Sequence, residues 1–86
     1  MELSRQYLIN NFEAAKNHGC YVGVLIEMEG FEKPEVIINS YENFDKKLEY
    51  YLATYNENLI HNHAKGIKII GFTYGDDFGE IENDLL

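Results

Sequence analysis

The chain has 86 residues, with fifteen Asp and Glu against seven Lys and Arg and a net charge of −8. That length makes one domain, residues 1–86, with a thin core; hydrophobic content of 45% with 14% aromatic residues excludes a disordered chain despite the charge. A protein this acidic is repelled by nucleic acid and anionic membranes and attracted to basic proteins.

Residues 3–17 read as an amphipathic helix, with Leu3, Tyr7, Leu8, Phe12 and Ala15 at helical spacing. Asn17-His18-Gly19 is its stop signal. Residues 20–28 read as a strand. Val22, Val24, Ile26 and Met28 point one way and Tyr21, Gly23, Leu25 and Glu27 the other, so both faces start apolar and the strand is expected to be central. Residues 29–34 form a turn punctuated by Gly30 and Pro34, and residues 35–39 return as a second strand.

Ser40 is the expected N-cap of a second helix, with Glu42 in its first turn. Phe44, Leu48, Tyr51, Leu52, Tyr55 and Leu59 share its apolar face, and the pattern predicts a helix to residue 60–64, stopped by Gly66. At roughly 20 residues it would be about 30 Å long. Residues 67–74 predict a third strand, with Ile70, Phe72 and Tyr74 on one face and Ile67 and Ile69 on the other. In the tail, Asp77 and Glu80 stand at capping-box spacing before Phe78, Ile81 and Leu85, which predicts a short helix. The expected fold is α+β: a two-layer sandwich of order α-β-β-α-β-(α), whose three-stranded sheet has strand order 2-1-3.

No motif calls for a cofactor, a metal or catalysis. His61-Asn62-His63 reads as a polar helix end rather than a zinc site, since no Cys lies nearby. The acidic run from Asp76 lacks the spacing of a calcium loop. Cys20 follows the alternation of Val22 and Val24 and is expected to be a buried, inert thiol. Gly71 within a strand marks a bulge or a close helix crossing. A single Cys excludes an internal disulfide. No apolar run reaches the roughly 20 residues of a bilayer span, and no basic region followed by an apolar run opens the chain. A cytoplasmic, non-enzymatic protein is expected.

The charge is unevenly placed. Residues 20–41 carry Glu27, Glu29, Glu32 and Glu35 against Lys33. Residues 67–86 carry Asp76, Asp77, Glu80, Glu82 and Asp84 against Lys68. These nine carboxylates are the candidate contacts for a basic partner. In a 2-1-3 sheet the hairpin loop and the tail leave from opposite ends, giving two patches or one long stripe. Tyr51 and Tyr55 are expected in the core. Tyr41, Tyr50 and Tyr74 fall off the apolar stripe or at element ends, and Tyr41 and Tyr74 are the candidate aromatic anchors beside the carboxylates.

In size, in its helix–hairpin–helix–strand plan, and in stretches such as Tyr21-Val-Gly-Val-Leu-Ile-Glu-Met-Glu29, Glu35-Val-Ile-Ile-Asn39 and Ile67-Lys-Ile-Ile-Gly-Phe72, the chain resembles small acidic proteins encoded by phages and prophages of low-GC Gram-positive bacteria. Some proteins of that type inhibit host defence. The acidic anti-CRISPR proteins that place carboxylates in the DNA-binding cleft of a CRISPR nuclease are one similar case. The resemblance implies a host-directed inhibitor and carries over no individual residue. Two other readings are compatible with the composition. One is a homo-oligomer that sequesters a signalling nucleotide through Lys33, Lys46, Lys47, Lys65 and Lys68. The other is a phage structural or assembly accessory.

Overall fold

The computed structural model describes residues 3–86. Its elements are α1 (Arg5–His18), β1 (Tyr21–Met28), β2 (Glu35–Asn39), α2 (Phe44–Thr54), β3 (Ile67–Gly75) and α3 (Phe78–Leu85). Helix α1 is capped at both ends, at its C-terminus by the expected Gly19. Ser4 Oγ accepts from Tyr7 N at 3.3 Å, and Gly19 takes φ 67, the left-handed conformation that a glycine adopts without strain. The strands form one antiparallel sheet in the order β2-β1-β3, with the twice-apolar β1 in the middle as its residues predict.

The two sheet faces are covered differently. Val22, Val24 and Ile26 of β1 pack under Leu8, Phe12 and Ala15 of α1 and under Phe44 and Tyr51 of α2, with Tyr55 and Leu59 completing this core. The Phe12 ring meets Phe44 edge-on at 5.3 Å and lies 5.9 Å from Tyr51. On the opposite face Gly23, Gly71 and Gly75 leave a shallow trough, and α3 lies in it. A Cβ on Gly23 would overlap Ile81 Cγ2, and one on Gly71 would meet Leu85 Cδ2 at 3.4 Å. The missing side chains let a short helix approach the sheet backbone closely. The sandwich therefore gains a partial third layer from α3.

Two elements depart from expectation. The second helix is 11 residues, not about 20. It starts after Asn43, itself left-handed at φ 62, and Ser40 does not cap it: Ser40 Oγ accepts from Lys47 Nζ at 3.1 Å. The helix stops because Asn56 competes for the backbone. Its Oδ1 accepts from Asn58 N at 2.8 Å and from Ile60 N at 3.1 Å, making a tight turn in which Leu59 has φ 61. Tyr55 and Leu59 are buried as the pattern requires, but from a turn that folds back along the edge of β3. There Ile69 N donates to Leu59 O at 2.9 Å and His61 N to Ile67 O at 2.8 Å.

In β3 the strict alternation fails. The register steps from Leu25↔Gly71 to Ile26↔Ile69, so Ile70 is an extra residue and the strand bulges. Ile69 and Phe72 consequently share the core face, where simple alternation puts them on opposite faces.

Candidate protein-binding surface

All nine carboxylates singled out above are exposed. The antiparallel β1–β3 pairing sets Met28 beside Ile67 and Tyr21 beside Gly75, so the hairpin loop and the tail do leave opposite ends of the sheet. Helix α3 connects them. Its Ile81 lies over Gly75 and Gly23 and its Leu85 over Gly23 and Gly71, so the helix runs back along the sheet towards the hairpin end. Glu82 and Asp84 are carried along it, which makes a stripe rather than two isolated patches.

The side chains in the stripe are not equivalent. Asp77 Oδ1 accepts from Glu80 N at 2.8 Å, and Glu80 Oε2 from Asp76 N at 3.4 Å, so these two carboxylates start α3. Asp76 Oδ1 accepts from the Cys20 thiol at 3.1 Å. That hydrogen bond, followed by burial and the charge of Asp76 itself, pushes the Cys20 thiol above its ordinary value and keeps it protonated. Cys20 is thus the buried thiol its alternation predicts. Glu27 is paired with Lys68 at 3.6 Å. The remaining ion pair among the described residues, Lys16–Asp45 at 3.3 Å, lies outside the stripe. Among the described residues, Glu29, Glu32, Glu35, Glu82 and Asp84 have no side-chain hydrogen-bond or ion-pair partner.

At the hairpin end the carboxylates border an open depression of about 490 Å³, lined by Glu27, Glu29, Glu32, Phe31, Ile60 and Lys68 among others. Phe31 is 67% exposed and Ile60 is exposed too, so apolar surface sits directly beside negative charge. The depression is held together by Glu29 N, which donates to Gly66 O at 2.8 Å. Gly66 has φ 79 and Glu29 packs on its Cα, which leaves no room for a side chain there. Phe31 was not among the anchors read from the sequence. The signal was present: an aromatic residue inside a Gly- and Pro-punctuated turn belongs to no strand or helix face and has nothing to bury against.

The anchors that were read lie at the other end. Tyr41 is 57% exposed, and Tyr74, partly exposed, stacks on His18 at 5.8 Å with 7° between the rings. Tyr50 is exposed as expected, while Tyr51 and Tyr55 are buried. Within a single copy of the chain the lysines do not converge on one point. Lys46 and Lys47 share one groove, and Lys68 is paired with Glu27 at the opposite side of the hairpin. His61 and His63 do not end a helix: they sit in the turn after it, where His61 Nδ1 accepts from His63 N and Ala64 N at 3.0 Å each. Among the described residues no group of three His, Cys, Asp or Glu stands close enough to hold a metal ion. No described helix is long and apolar enough to cross a membrane.

No family model, no curated protein and no solved structure matches this chain.

Proposed function

We propose that the chain is a phage-type binding protein without catalytic activity, which engages a basic surface of a host protein, such as a nucleic-acid-binding groove of a defence protein. The observation that supports this reading is the freedom of the stripe: eight of its nine exposed carboxylates have no cationic partner among the described residues. Charges left unpaired in this way attract a cationic surface at long range and speed encounter. Exposed Phe31 and Tyr41 would then supply the apolar contacts that slow release.

The test is capture from a bacterial lysate on the immobilised protein, followed by a salt gradient. Neutralisation is best made at Glu29, Glu32, Glu82 and Asp84 (to Gln, Gln, Gln and Asn). Asp76, Asp77 and Glu80 hold Cys20 and α3 and would confuse a lost contact with a lost helix. The expected result is a basic protein released by salt, with the fourfold variant associating about tenfold more slowly or worse. Capture indifferent both to ionic strength and to the four neutralisations would rule the reading out.

A further inference from the structure

Strand β2 is an edge strand whose outer side is bare. Among the described residues no backbone hydrogen bond runs from Glu35–Asn39 to any element except β1. The other edge is treated differently. Leu59 and His61 cover the lower half of β3, and Asn11 Nδ2 donates to Thr73 O at 3.0 Å near its end. An edge left unprotected is a template for pairing with another strand.

Beside the bare edge lies a groove of about 390 Å³ between β2 and α2, lined by Ile26, Ile37, Tyr50, Tyr51 and Tyr55 with Lys46 and Lys47 on its rim. Ile37 is 38% exposed and Tyr50 59%. Charge decides which strand fits. Glu35 stands exposed at one end of β2, with no ion-pair partner among the described residues. At the other end Lys47 Nζ is held 2.9 Å from Ser40 O, with no carboxylate of the described residues in ion-pair reach. Glu35, Ile37 and Asn39 alternate onto the groove side of the strand. A foreign acidic strand would satisfy the lysines and leave Glu35 facing it unpaired. A second copy of this chain answers both ends. Turned about a two-fold axis at Ile37, it sets its Glu35 opposite Asn39, next to Lys47, and symmetry repeats the pair.

The geometry points to β2 as a self-association edge, where two copies join antiparallel, Ile37 against Ile37 and Glu35 of each facing Lys47 of the other, in one continuous six-stranded sheet. This inference does not depend on the acidic-stripe reading. It withdraws Glu35 from the stripe and assigns it to the interface.

Sedimentation velocity over micromolar to millimolar concentrations tests it. The wild-type chain is expected to move from monomer to dimer. Ile37→Lys, which puts a charge on the axis, is expected to stay monomeric with its dilute-solution melting temperature kept. Glu35→Lys and Lys47→Glu are each expected to weaken the dimer about two- to fivefold, and the double reversal to restore it. Glu35→Lys is diagnostic because it lowers the net negative charge, so an unspecific association would strengthen instead. Should Ile37→Lys fail to fold, hydrogen exchange of the wild-type β2 amides replaces it, with protection expected to rise with concentration. A wild-type chain that is monomeric throughout, a dimer that survives Ile37→Lys, or β2 exchange that ignores concentration would each overturn the assignment.

Discussion

Asn39 is the buried polar side chain of the core, and it earns that place through its partners. Its Nδ2 donates to Val22 O and to Tyr51 Oη, both at 3.2 Å, and its Oδ1 lies 3.3 Å from the same hydroxyl. Tyr51→Phe leaves Oδ1 without that partner and is expected to cost about 1 kcal/mol by urea denaturation. Asn39→Ala strands the buried phenol and is expected to cost about 2 kcal/mol or more. Burial, opposed by the Asn39 hydrogen bond, pushes the Tyr51 phenol above its ordinary 10.0, and burial does the same for Tyr55. The folded state therefore holds these two protons more tightly than the unfolded chain. Their contribution to stability is complete below pH about 10 and is lost as pH rises through the raised folded values. Denaturation midpoints should fall above pH about 10, and fall less steeply in Tyr51→Phe. At Cys20 the expected outcome concerns rate. Iodoacetamide labels the native thiol slowly at mildly alkaline pH, and Asp76→Ala speeds it, because the carboxylate that retains the proton is gone.

Among the elements, α2 depends on a distant residue. Arg5 Nη1 donates to Leu52 O at 2.8 Å and to Tyr55 O at 2.7 Å, closing the carbonyl end of α2 from the first turn of α1. Arg5→Met keeps the stem and removes both bonds. Its expected cost is about 2 kcal/mol, with faster amide exchange confined to the last turn of α2. Helix α3 depends on the trough. Gly23→Ala is expected to push Ile81 outward and cost about 1–3 kcal/mol by denaturation, and Ile81→Ala in the same chain should recover part of that loss. Element types and strand order were legible in the residues because the twice-apolar alternation of β1, the Gly19 stop after α1 and the Asp77–Glu80 capping box of α3 agreed. The length of α2 was not. Tyr55 and Leu59 continue the helical spacing, but they reach the core from a turn that Asn56 builds, and the Asn56-Glu57-Asn58 cluster was the overlooked sign. The faces of β3 were misread for a related reason. A bulge inserts one residue without changing composition, and only Gly71 hinted at it.

For the whole molecule, charge is the dominant quantity. Eight net negative charges and two ion pairs among the described residues leave the folded state under self-repulsion. Raising ionic strength is expected to stabilise the isolated protein by about 1 kcal/mol, or roughly 5 °C in melting temperature. Salt would have the opposite effect on a complex with a basic partner, so the two measurements together separate fold from function. The position of the carboxylates at opposite ends of the sheet followed from strand order and was legible in the sequence. That Asp77 and Glu80 are engaged at the start of α3 was legible from their capping-box spacing; that Asp76 is tied to Cys20 and Glu27 to Lys68 was not, because those partners come from distant parts of the sequence.

The packed rings of the core also give the molecule its own optical reporter. The chain contains no tryptophan, and Phe44, Phe12, Tyr51, Tyr55 and His61 succeed one another at centroid separations of 5.3 to 6.2 Å. Near-ultraviolet circular dichroism will therefore come chiefly from Tyr51 and Tyr55, whose surroundings are asymmetric and fixed. Solvent-facing tyrosines such as Tyr41 average out. Loosening between the helices would extinguish that signal while far-ultraviolet helicity persisted, so an unlabelled sample can distinguish slackened packing from unfolding.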